Sequence, residues 1–239
     1  MNRKPLRGLA AISAAGVMAL GLAACGGGDD ASAGATTGTM MTSTAMTSTA
    51  TGGHTAMSDT PAADLRVTLD RLFGEHAVLA VMTMQKGFDG AKDFTASAAA
   101  LDANTVDLGK AVGSVYGPKA ETAFLAMWRE HIQFFVDYTV ATAKKDEAGR
   151  KMALDNLDGY RQAFANFLAT ANPNLKADDV AALLAAHVRQ LSGALDAYAA
   201  GDYARSTKDL RESYAHMFMT GDALAAAIVA QSPEKFAAK

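Results

Sequence analysis

The chain has 239 residues, of which 50% are hydrophobic and 20% charged, and its formal net charge is −3. This length allows one domain of ordinary size together with shorter segments. The slightly acidic balance, with no cluster of basic residues, argues against nucleic acid as a partner. The single cysteine excludes a disulfide within the chain.

Residues 1–24 have the pattern of a bacterial secretion signal. A basic start is followed by an apolar run over residues 9–24, which is short for a transmembrane helix. The run ends in Leu22-Ala23-Ala24-Cys25, the pattern of a lipoprotein cleavage site. We therefore predict a signal peptide over residues 1–24 and acyl chains such as palmitate on Cys25. These would hold the protein at the extracytoplasmic face of the cell membrane. The alternative is an ordinary signal peptide beside a chance cysteine.

Residues 25–61 consist mainly of Gly, Ser, Thr, Ala and Met, and they offer almost nothing that could bury a core. This composition predicts a flexible tether that begins at the lipidated Cys25. Its methionines and His54 are ligands suited to Cu(I), so the tether could capture copper. A low-complexity spacer is the alternative interpretation.

The remaining residues, 62–239, show apolar residues at helical spacing almost throughout and no convincing strand pattern. The predicted helices cover residues 62–86, 93–115, 118–145, 146–170, 177–199 and 203–230. Glycine and proline mark most of the breaks, and Asp202 is a predicted N-cap. The predicted fold is therefore an all-α six-helix bundle built from three helical hairpins.

Regular spacing of histidines suggests that the three hairpins are related. His131 lies 55 residues after His76 and 56 residues before His187. A second set lies 56 residues apart each time: Asn104, Tyr160 and His216. This spacing predicts an internal repeat of about 55 residues. The alternative is that any chain with six helices of equal length shows such spacing.

His76, His131 and His187 are predicted to point inward, because each shares a helix face with large apolar residues. Three inward histidines from three hairpins could meet at one place, and bundle interiors are where metal sites are built. The alternative is that each imidazole is a structural core residue bonded to a carbonyl or carboxylate.

His216 forms a second candidate set with Glu212 and Met219. Residues three or four apart lie on the same side of a helix, so these two side chains could share a metal ion with His216. His216 itself is predicted to lie about a third of a turn away from the inward stripe of Leu210, Tyr214 and Met217. It is therefore a fourth ligand or part of a second site.

Several motifs carry a resemblance to a known group. They are Leu101-Asp102-Ala103-Asn104, Gly113-Ser114-Val115-Tyr116-Gly117, Trp128-Arg129-Glu130-His131, His216-Met217-Phe218-Met219 and Pro233-Glu234-Lys235-Phe236. Over residues 62–237 the chain resembles secreted or lipid-anchored bacterial helical proteins of unsettled function. Some of these are fused to a copper amine oxidase N-terminal-like module. The resemblance implies an extracytoplasmic helical domain, and it implies neither amine oxidase activity nor any functional residues.

The leading functional hypothesis is a lipoprotein whose helical domain binds a metal ion or a metal-bearing cofactor through its histidines. Copper is favoured by the extracytoplasmic location, by the available methionine and histidine, and by the lack of a thiol site. Zinc and haem are the alternatives. The rival hypothesis is a non-catalytic envelope module that binds a protein, of unknown identity, or a small molecule. No nucleophile with its base is recognisable, so no catalytic residue is predicted.

Overall fold

The structure is a computed structural model that describes residues 60–237. Within them the chain forms six α-helices and one short 3-10 helix, with no strand. The helices are α1 (Pro61–Asp89), α2 (Phe94–Tyr116), α3 (Pro118–Lys144), α4 (Glu147–Ala171), α5 (Ala177–Ala199) and α6 (Tyr203–Gln231), and the 3-10 helix covers Pro233–Lys235. The predicted all-α six-helix bundle is thus confirmed. The predicted signal peptide, the lipidated Cys25 and nearly all of the predicted tether lie outside the described residues.

Local sequence signals set the ends of the helices. Thr60 caps α1 by accepting a hydrogen bond from the Ala63 N–H, and Asp202 caps α6 by accepting one from the Arg205 N–H at 3.0 Å. α1 continues three residues past its predicted end at residue 86, because Gly90, not Gly87, adopts the left-handed conformation, with φ of 62°. None of the described helices combines the length and apolarity needed to cross a bilayer.

The six helices divide into an inner and an outer set. Helices α1, α3 and α5 all pack against one another. α2 packs against α1 and α3, α4 against α3 and α5, and α6 against α5 and α1. This arrangement is what a threefold repeat of hairpins requires. It does not test the repeat, because unrelated hairpins can pack in the same way.

The contact between α1 and α6 is especially close, because glycines face it from both sides. A Cβ on Gly74 would lie 2.6 Å from the Phe218 ring, and one on Gly221 would collide with Asp70. Beside this contact, Arg66 pairs with Asp222 across the two helices. The core around it contains Phe73, Phe124, Trp128, Phe164 and Met217, and the predicted C-terminal plug, Phe236, packs against that core.

Candidate functional site: a buried histidine cluster

The three inner helices bring three histidines together in the middle of the bundle. His76 on α1, His131 on α3 and His187 on α5 expose only 1%, 3% and 4% of their surfaces. The ring centre of His76 lies 5.5 Å from that of His131 and 5.6 Å from that of His187. The predicted inward orientation is confirmed, and the three side chains converge. We call this group the histidine cluster.

Four nitrogens of the histidine cluster have no hydrogen-bond partner among the described residues. They are both ring nitrogens of His76, Nδ1 of His131 and Nε2 of His187. The remaining nitrogen of His187, Nδ1, lies 3.5 Å from Ser213 Oγ, at the outer limit of a hydrogen bond. Buried polar atoms in native proteins are nearly always paired, and an unpaired one costs about 1–3 kcal/mol. The cluster therefore has an unusual capacity to bind something further.

Burial keeps the histidine cluster neutral. The pKa of His131 falls from 6.5 to about 3, first because burial desolvates the charged ring and then because His187 repels it. Burial also lowers the pKa of His76 and His187 well below 6.5, with repulsion by a neighbouring histidine as the next cause. Neutral imidazole is the form that binds metal ions, so near pH 7 no proton has to leave first.

Two aromatic side chains enclose the cluster. The Trp128 ring centre lies 4.5 Å from that of His131 and 4.9 Å from that of His76, and the Tyr160 ring stacks on His131 at 5.0 Å. The Trp128 Nε1 and the Tyr160 hydroxyl also have no partner among the described residues. The sequence analysis did not include either residue in the site. The 56-residue offset that places Tyr160 between Asn104 and His216 was a signal for its position.

His216 occupies a different environment from the other three histidines. It is buried, so its predicted position off the inward stripe is wrong, because α6 packs against both α1 and α5 and buries a wider face. Its Nε2–H donates to the Leu183 carbonyl at 2.8 Å. Glu212 pairs with Lys208 at 2.6 Å, and Met219 is 57% exposed. The side chains of the second candidate set therefore lie in three different environments.

The hydrogen bond of His216 has a counterpart in the first hairpin. Asn104 on α2 donates through Nδ2–H to the Leu72 carbonyl at 2.9 Å. Leu72 lies four residues before His76, as Leu183 lies four residues before His187. In both hairpins the outer helix thus holds the inner helix one turn before its histidine.

Two cavities border the histidine cluster. One of about 40 Å³ is lined by His131, His187, Trp128 and Tyr160 among others. It is large enough for a water molecule or a metal ion but not for an organic ligand. The second, of about 440 Å³, lies between α1, α2 and α3 and is lined by His76 and His131 at one side. His131 thus lines both cavities.

The spacing of the imidazole rings suits a shared metal ion, although the ligand set is not assembled. Two imidazoles on one metal have ring centres about 5–6 Å apart, because each nitrogen lies about 2 Å from the metal. The distances of 5.5 and 5.6 Å from His76 fall in that range. Among the described residues, however, no group of three or more His, Cys, Asp or Glu side chains is placed so that it could hold a metal ion.

No protein-family model, curated protein or solved structure matches this chain. The resemblance to lipid-anchored bacterial helical proteins therefore stays a prediction.

Proposed function

We propose that the helical domain binds a metal ion through His76, His131 and His187, with copper as the favoured ion. The observation that supports this proposal best is the set of four buried imidazole nitrogens without partners on three neighbouring rings. Binding a metal would pair nitrogens whose burial otherwise costs free energy. His76 is the central ligand, since its ring neighbours both others.

Binding through all three imidazoles requires their rings to turn from the orientations in the structure. The cavity of about 40 Å³ beside His131 and His187 provides space for such a rotation. Copper binds imidazole more tightly than the other common divalent metals do. The Trp128 and Tyr160 rings would surround the ion with apolar surface and restrict access of water. His216 is expected to act through the position of α5 and not as a ligand, because its Nε2 already donates to Leu183.

We further propose that the protein is a lipoprotein attached to the outer face of the cell membrane through Cys25. The supporting observation is the sequence Leu22-Ala23-Ala24-Cys25 after a basic and then apolar segment. Two acyl chains are sufficient for stable attachment. Fractionation of cells that express the chain tests this proposal. The wild type should be in the membrane fraction and carry acyl chains by mass spectrometry, whereas Cys25→Ser should do neither.

The metal proposal is tested by thermal unfolding of the full chain after chelation and readdition of copper, zinc or haem. A ligand that binds only the folded state at about 100 times its Kd stabilises it by about 2.7 kcal/mol. For a domain of this size, the midpoint measured by circular dichroism should rise by roughly 5–10 °C. Ions held equally by the folded and unfolded chain, as expected for the methionine-containing tether, leave the midpoint unchanged.

Two variants make the test specific to the histidine cluster. His76→Leu should abolish the shift of the midpoint caused by copper, because it removes the ring that neighbours both others. Tyr138→Phe, which lies in the same core but outside the cluster, should retain the full shift. A wild-type midpoint that ignores copper, zinc and haem alike would overturn the proposal, as would an undiminished shift in His76→Leu.

A further inference from the structure

The larger cavity, between α1, α2 and α3, has the dimensions of a small-molecule site. Its volume is about 440 Å³, within the range of about 300–1,000 Å³ that is typical of ligand pockets. We call it the α1–α3 cleft. Met84, Phe94, Leu101, Ile132, Phe135 and Val136 form most of its apolar wall.

Small residues create the room inside the α1–α3 cleft. Ala80 and Gly87 face it from α1, Ala98 faces it from α2, and Ala91 lies at the turn between these helices. A Cβ on Gly87 would already lie 3.1 Å from the Phe94 ring, so a larger residue there would narrow the cleft. The space thus results from residue choices on two helices and the turn that joins them.

The lining of the cleft carries no unpaired charge. Its ionisable side chains are His76, His131, Asp102 and Arg129. Burial keeps both imidazoles neutral by lowering their pKa. Asp102 and Arg129 pair with each other through two hydrogen bonds of 2.8 and 3.2 Å. A charged ligand would therefore lose its hydration without gaining a counter-charge, which is costly.

Two hydroxyl groups offer limited polar contacts in the cleft. Thr139 Oγ1 donates to the Phe135 carbonyl at 2.8 Å, and Thr83 Oγ1 shares a hydrogen bond of 2.7 Å with Ser97 Oγ. Each oxygen keeps capacity to accept from a ligand. The lining thus selects against charge and tolerates one or two polar atoms.

We infer that the α1–α3 cleft binds a neutral, mainly apolar small molecule with two or three rings. The size follows from comparison with an apolar cavity of about 150 Å³, which accommodates one benzene ring. A cleft of about 440 Å³ accommodates roughly three times as much. This site does not depend on the metal proposal, because its walls consist mainly of residues outside the histidine cluster.

The test uses two dyes that differ in charge but share a ring skeleton. N-phenyl-1-naphthylamine is neutral, and 1-anilinonaphthalene-8-sulfonate adds a sulfonate to the same skeleton. Trp128 is the only tryptophan, and it contacts His76 and His131, which line the cleft. Quenching of Trp128 with sensitised emission from the dye therefore reports binding near the cleft, and dye dissolved in lipid or detergent contributes little. The neutral dye should saturate the full chain and bind at least tenfold more tightly than the sulfonate.

Matched variants locate the dye. Ala98→Phe fills the cleft and should weaken binding of the neutral dye at least tenfold. Ala99→Phe, at the next and exposed position of α2, should leave it unchanged. Ala91→Phe narrows the cleft from the turn, where a larger residue disturbs no helix, so it serves as the filling variant if Ala98→Phe does not fold.

Three outcomes would overturn the inference. They are failure of the neutral dye to bind, equal affinity for both dyes, and undiminished binding in a folded Ala98→Phe or Ala91→Phe variant. The metal proposal is tested separately by His76→Leu and copper, so failure of one leaves the other standing.

Discussion

Two groups of buried polar side chains in this bundle differ in how completely their atoms are paired. In the histidine cluster, four ring nitrogens have no partner among the described residues. In the second group, the Tyr138 hydroxyl donates to Asp196 at 2.8 Å and accepts from Arg150 at 3.0 Å. Arg150 also pairs with Asp196 at 3.0 Å and lies over the Tyr138 ring. We call this second group the tyrosine network.

The comparison separates polar residues that stabilise the fold from polar residues that are available to a ligand. The tyrosine network links α3, α4 and α5, and every polar group in it contributes to that link. It also raises the pKa of Tyr138, because burial and the bonded carboxylate both disfavour the phenolate. The histidine cluster links three helices through ring contacts alone. Its unpaired nitrogens contribute nothing to the metal-free fold and cost free energy.

Acid should produce the largest difference, because it acts on the histidine cluster. The pKa of each of the three histidines is lower in the folded than in the unfolded state, so the unfolded chain takes up protons first as the pH falls. Stability is therefore complete above about pH 6.5 and declines below it. From about pH 7 to pH 5 the expected loss is about 2 kcal/mol per histidine, or about 6 kcal/mol for three.

Urea unfolding of the chelated protein at several pH values measures this loss. A variant with His76, His131 and His187 all replaced by leucine should lose most of the dependence over that range. If its dependence equals that of the wild type, carboxylates and not the histidine cluster cause the acid sensitivity.

Breaking the tyrosine network should have a smaller effect. Tyr138→Phe removes the hydroxyl bonded to Asp196 and Arg150 but keeps the ring, so it should lower the free energy of unfolding by about 1–2 kcal/mol. Tyr203→Phe is the control, because Tyr203 is 62% exposed and should change stability by less than about 0.5 kcal/mol. Equal effects in the two variants would show that the hydroxyl of Tyr138 contributes no stability.

The sequence predicts the helices and the inward histidines well, because both depend on local patterns. Glycine and proline mark the ends of helices, and His76 shares the face of Leu69 and Leu72, which are buried with it. The inward stripe on α6 was predicted less well, since Tyr214 is 44% exposed and His216 is buried. Which face of α6 is buried depends on contact with two other helices, and these are not encoded in the periodicity of α6 alone.

Pairing of the imidazole nitrogens and the α1–α3 cleft could not be predicted for a related reason. Both depend on the rotation and axial position of separate helices relative to one another. A shift of one residue along α3 would move His131 by about 1.5 Å and turn it away from His76. Small residues such as Ala80 and Gly87 were visible in the sequence. Whether they face a neighbouring helix or an open cleft is decided only by packing.

The smallest effect is expected where the comparison is most informative. His76→Leu in metal-free protein replaces an imidazole with two unpaired nitrogens by an apolar side chain of similar volume. Removing unpaired buried polar atoms offsets small losses in packing, so near pH 7 stability should change by less than about 1 kcal/mol and can increase. Urea unfolding beside Tyr138→Phe measures the contrast. If His76→Leu costs as much as Tyr138→Phe, the His76 nitrogens are paired in the metal-free protein, most simply with buried water. Such a result would remove the distinction between the two groups, because both would then be fully bonded networks that stabilise the fold.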